Sequence, residues 1–141
     1  MRNQDKQMAY LILRVTLGLN LSVHGVIRLG ENYHKFIAWT ASQFEKSPLP
    51  SWGVSLLSHT LPVLELGIGV LLILGFLTRL TTILGSLVMM SLIFGMAVLQ
   101  NWEIVGVQMI YVLFYFLILF LREYNYYSLD HVVQKREASN E

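Results

Sequence analysis

The sequence predicts an all-α integral membrane protein: a four-helix transmembrane bundle with a short amphipathic helix in its first extracytoplasmic loop. Of the 141 residues, 55% are apolar and 13% charged, against about 45–50% and about 25% in soluble domains. The apolar residues gather into four continuous runs, each long enough for a hydrocarbon core that needs roughly 17–25 helical residues. These runs do not alternate, and four strands cannot close a barrel, so helices are the remaining way to satisfy the backbone in lipid.

The spans are expected at about residues 8–29, 56–77, 80–99 and 104–121, within a single domain of residues 1–133, with a polar cytoplasmic tail at 134–141 that frays after Val133. The first span resembles a signal peptide only in its basic start. Arg14 and Asn20 interrupt it, and it ends in His24, Gly25 and Arg28 without a small-residue cleavage site, so it reads as a retained helix. In the second span, Pro62 suggests a first helical turn with Thr60 as its cap. The connections after the second and third spans are short, which makes the last three helices sequential antiparallel neighbours.

Between the first two spans, Tyr33, Phe36, Ile37, Thr40 and Phe44 recur at i, i+3, i+4, i+7 and i+11, and Ser47-Pro48-Leu49-Pro50 ends the pattern. This is a short amphipathic helix, either an anchor in the headgroup layer or a lid over a ligand pocket. Arg2, Lys6, Arg79, Arg122, Lys135 and Arg136 fall on the side of the termini, and Arg28, Lys35 and Lys46 on the other. That bias places both termini in the cytoplasm.

Charge and cysteine content narrow the function classes. Ten Lys and Arg balance nine Asp and Glu, so there is no basic field for nucleic acid. With no cysteine, the chain has no disulfide, thiolate metal site or iron–sulfur cluster of its own. His24 is the only histidine well placed inside the bundle, which argues against bis-histidine haem. Glu65 and His24 together are too few ligands for a metal.

Intramembrane ionisable groups are the first place to look for chemistry, because an Arg or Asp at a helix centre costs roughly 2.5–3.5 kcal/mol even on lenient scales. Arg14 and Glu65 stand out. At about 100° per residue, Arg14, Asn20, His24 and Arg28 share one third of the first helix. Counting from level span ends puts Glu65 between His24 and Arg14 in depth. Gln108, Tyr111 and Tyr115 follow at i, i+3 and i+7 down the fourth span. The expected convergence is a polar pocket built from three helices. Arg14 and Glu65 either pair to fix helix register or contact a ligand; His24 is either a satisfied interior residue or a proton-exchange group; Arg28 lies near enough to the surface to snorkel.

Leu13-Arg14 with Leu17-Gly18, then His24-Gly25 and Arg28, resembles the opening helix of the DoxX family. Leu64-Glu65-Leu66-Gly67-Ile68-Gly69 with Gly75-Phe76-Leu77-Thr78-Arg79 resembles that family's second helix and its exit, and Tyr127-Ser128-Leu129-Asp130 its ending. The resemblance implies a small bacterial inner-membrane protein, similar to the DoxD subunit of thiosulfate:quinone oxidoreductase and to membrane components of oxidoreductase complexes. Joined to the polar stripe, it yields an expected lipid-accessible quinone pocket. Arg14, Gln108 and Tyr111 would hold the ligand, and His24 and Glu65 would exchange protons. Membrane lipid, redox subunits or further copies of the chain are the expected partners. The alternatives are a non-catalytic subunit or assembly factor whose buried charges only specify the bundle, and a small transporter.

Overall fold

A computed structural model describes residues 2–139; residue 1 and residues 140–141, the extremes of the expected domain and tail, lie outside the described residues. The elements are α1 (Asn3–Leu29), α2 (Tyr33–Phe44), α3 (Ser51–Leu74), α4 (Thr78–Val98), α5 (Trp102–Phe120), a 3-10 turn at Arg122–Tyr124, and α6 (Leu129–Glu137). Four of these, α1, α3, α4 and α5, are long and apolar enough to cross a membrane. They form an antiparallel ring in which α1 packs on α3, α3 on α4, α4 on α5, and α5 back on α1. The first and last described residues lie at one end of the ring, called here the terminal end. The short α2 lies at the other, the loop end.

The α1/α3 contact is the most extensive because small residues let the two backbones approach. A Cβ on Gly25 would lie 2.6 Å from the Leu66 nitrogen, and one on Gly69 would lie 2.5 Å from the Ser22 nitrogen. Such close packing of small residues replaces the hydrophobic driving force that lipid removes. These pairs also set the register. With Gly18 against Ile73, Ser22 against Gly69 and Gly25 against Leu66, Glu65 falls level with Val26, and Arg14 falls level with the turn beyond α3.

Three expectations change here. Helix α3 starts at Ser51, so Pro62 is buried inside the helix instead of opening it. The Thr60 hydroxyl donates to the Leu56 carbonyl at 2.8 Å instead of capping. The polar tail stays helical to Glu137, beyond Val133, because Ser128 caps α6 by accepting from the His131 amide at 3.2 Å.

The terminal end is closed by a latch between segments far apart in sequence. Helix α3 stops at Gly75, whose left-handed backbone (φ 64°) lets the Phe76 amide reach the Leu71 carbonyl at 3.1 Å. The chain then turns through Leu77, also left-handed at φ 48°. Asp130 fixes that turn. Its carboxylate accepts from the Leu77 amide at 2.7 Å and the Thr78 amide at 2.9 Å, and its own amide donates to the Gly75 carbonyl at 3.0 Å. A carboxylate on the first amides of α4 meets both unpaired donors and the positive end of the helix dipole. Asp130→Ala is therefore expected to destabilise the protein by about 2 kcal/mol. Limited proteolysis should then cut the segment around Asn125, which is protected in the parent; a tail equally protected in the variant would refute the latch.

Candidate functional site

Helical spacing assembles one cavity of about 250 Å³ at the loop end of the ring. Helix α1 presents Leu21, His24 and Arg28, helix α3 presents Ser58, Leu61 and Glu65, and helix α4 presents Met89, Leu92 and Met96. Each is an i, i+3, i+7 stripe, the pattern that keeps three residues on one helical face. Gln108 and Tyr111 of α5 close the fourth wall.

Helix α2 covers the cavity with Phe36, Trp39, Thr40 and Phe44. It is held at both ends. The Arg28 guanidinium sits 4.7 Å from the centre of the Phe36 ring, a cation–π contact. At the far end, the Phe44 ring lies against Gly95 of α4, where an added Cβ would be 3.3 Å away. Of the two roles expected for the amphipathic helix, the lid is the one this placement supports.

Glu65 is buried and forms an ion pair with Arg28 through its Oε1. Its Oε2 is buried with no hydrogen-bond partner, and so is Oε1 of Gln108. The Tyr111 hydroxyl donates to Asn20 Oδ1 at 3.1 Å across the α1/α5 contact, the loosest of the four neighbouring helix pairs. Both Asn20 and His24 are exposed along this seam, and His24 also lines the cavity.

The structure thus brings together His24, Glu65, Gln108 and Tyr111, four of the five expected site residues. The fifth, Arg14, lies elsewhere. It is 1% exposed at the terminal end, where its Nη2 donates to the Tyr127 carbonyl at 2.7 Å. The expected Arg14–Glu65 proximity fails because α3 extends above α1 at the loop end. Glu65 therefore faces the Val26 level, twelve residues or about 18 Å along α1 from Arg14. Arg28, expected to snorkel, takes the ion-pair position instead. Its i+4 spacing from His24 was the available signal. Tyr115 is also absent from the cavity: it is 2% exposed in the core, packed on Gly85 of α4. Among the described residues, no group of three or more His, Asp or Glu is placed to hold a metal ion.

The DoxX family model matches residues 9–98. The chain belongs to the DoxX family. In this DoxX protein the matched segment supplies α1 to α4, and with them His24, Arg28, Glu65 and the lid, while Gln108 and Tyr111 lie beyond it. No curated protein and no solved structure matches the chain.

Proposed function

We propose that the loop-end cavity binds the head group of a hydroxyl-bearing aromatic amphipath, a quinol, within a membrane oxidoreductase system. The observation that carries this reading is the pair of unpartnered buried acceptors, Glu65 Oε2 and Gln108 Oε1, on two residues that line one apolar-walled cavity. A buried acceptor without a donor costs about 1–3 kcal/mol. A ligand with two hydroxyl groups recovers that cost, whereas a quinone offers only further acceptors. The volume of about 250 Å³ suits one substituted ring, and the loosely packed α1/α5 seam beside His24 would let an isoprenoid tail remain in lipid.

In this reading Arg28 takes the role expected of Arg14. It pairs with Glu65 Oε1 and leaves Oε2 as an acceptor for a ligand hydroxyl, while His24, exposed beside the cavity, exchanges protons with the outside. The chain encodes no thiol or iron–sulfur redox centre, so in this reading the quinol's two electrons pass to a partner subunit or to a second substrate. The family resemblance supports a bacterial inner membrane, and the basic-residue bias supports both termini on its cytoplasmic side.

Trp39 in the cavity wall supplies the readout. A short-tailed ubiquinol or menaquinol is expected to quench the fluorescence of purified protein saturably, the quenching to disappear in Trp39→Phe, and the quinol to bind more tightly than its quinone. Gln108→Leu should weaken quinol binding by up to about tenfold, the worth of one hydrogen bond. Equal affinity in the parent, Gln108→Leu and Glu65→Gln would overturn the proposal.

A further inference from the structure

A second and larger concavity, of about 860 Å³, lies at the terminal end and shares no residue with the quinol cavity. Its polar lining includes Arg79, Arg122, His131, Tyr126 and Asn125, and its apolar wall is Leu77, Leu80 and Ile83. We propose that this groove binds the phosphodiester headgroup of an anionic phospholipid of the phosphatidylglycerol type.

Charge is the first support. Arg79 is the second residue of α4, and Arg122 follows α5 by two residues, so both stand where the chain leaves the apolar zone. Both are exposed, and neither forms an ion pair or a side-chain hydrogen bond among the described residues. Two acids also line the groove, Asp130 and Glu123. The Asp130 carboxylate is hydrogen-bonded by the Leu77 and Thr78 amides; these neutral donors leave its charge in place, so the two acids balance the two arginines, and it is the unengaged guanidinium N–H groups of Arg79 and Arg122 that a phosphodiester would meet. Basic pockets between transmembrane helices at the headgroup level favour anionic lipids.

The shape of the lining argues for a lipid over a soluble ion. Leu80 and Ile83, both exposed, continue α4 from Arg79 into the apolar zone at i+1 and i+4, giving a glycerol backbone and the start of an acyl chain a hydrophobic surface. Tyr126 and His131 have ring centres 4.4 Å apart on the opposite side, and an amphipathic ring of this kind belongs at an interface. Asn125, whose Nδ2 donates to the Thr78 hydroxyl at 3.1 Å, fixes the floor of the groove to the start of α4.

Native mass spectrometry of the delipidated, detergent-solubilised chain tests this, with phosphatidylglycerol, phosphatidylcholine and inorganic phosphate as separate probes. Phosphatidylglycerol is expected to remain bound where phosphatidylcholine does not, and inorganic phosphate is not expected to displace it. Arg79→Gln with Arg122→Gln should weaken phosphatidylglycerol binding roughly twenty-five-fold, since each basic side chain near the surface contributes about fivefold. Arg136→Gln, outside the groove, should change nothing. Both arginines are exposed and unpaired, so the double variant should melt like the parent; if it does not fold, Arg122→Gln alone should show the fivefold loss. Three results would each overturn the proposal: undiminished phosphatidylglycerol binding in the arginine variants, equal retention of phosphatidylcholine, or complete displacement by inorganic phosphate, which would assign the groove to a soluble anion.

Discussion

Gly75→Ala is expected to cost more than about 4 kcal/mol, enough to remove most of the folded protein from a membrane preparation. Backbone strain is the smaller part of that cost. At φ 64°, an alanine is disfavoured by roughly 1–2 kcal/mol. The larger part is steric. The new Cβ would overlap Arg14 Nη1 and stand 2.5 Å from Arg14 Cζ and 2.6 Å from Ser128 Cβ. Arg14 cannot yield by moving into solvent, because it is 1% exposed. Displacing it breaks its bond to the Tyr127 carbonyl, and with it the path of the segment that carries Asp130 onto α4. A buried charged group deprived of its partner is costly. The two contributions separate experimentally. Gly75→Asn tolerates a left-handed backbone but keeps the collision, so it should fare no better than alanine. Gly75→Ala combined with Arg14→Leu removes the overlap with the guanidinium but not the 2.6 Å approach to Ser128 Cβ, and should recover part of the folded yield and melting temperature in detergent. A parental melting temperature for Gly75→Ala alone would show that Arg14 is not confined as described.

The contrast between Arg14 and Glu65 shows where local sequence information ends. The four spans were legible because each is a long apolar run, and α2 was legible because Tyr33, Phe36, Ile37, Thr40 and Phe44 keep helical spacing. The stripe on α1 was legible for the same reason. Its inner and outer arginines, however, serve opposite ends of the bundle: Arg28 faces the cavity, while Arg14 holds the latch. Which arginine meets Glu65 depends on the sliding register of α1 against α3, and that is set by contacts such as Ser22 on Gly69 and Gly25 on Leu66. Hydropathy marked the second span from Leu56, but the helix continues to Ser51 through the mixed stretch Ser51-Trp52-Gly53-Val54-Ser55, which need not lie in hydrocarbon. Counting depth from apolar ends therefore placed Glu65 too near Arg14. The role of Asp130 was hidden for a related reason. Its partners, Leu77 and Thr78, are more than fifty residues away, and no periodicity reports a carboxylate that caps a distant helix.

The Arg28–Glu65 pair should respond asymmetrically to removal of its two members. Arg28→Met leaves the Glu65 carboxylate with both oxygens unpartnered, since Oε2 already lacks a donor. The Glu65 side chain is only 8% exposed, so a cost of about 3 kcal/mol is expected, near the low end for a broken buried pair. Glu65→Leu should cost only about 1 kcal/mol, because the Arg28 side chain is 27% exposed and its long stem lets the charge snorkel to the loop-end surface. Arg28→Met together with Glu65→Leu should return to within about 1 kcal/mol of the parent, because replacing a buried ion pair by apolar side chains is often neutral or stabilising. Thermal unfolding of the three variants in one detergent gives the cycle. Equal losses in both single variants, adding without recovery in the double, would mean that the two side chains act independently. The recovered double variant also separates stability from binding. If it folds like the parent yet no longer responds to quinol at Trp39, the ion pair serves the ligand; if it folds and still binds, Glu65 is only an internal brace between α1 and α3.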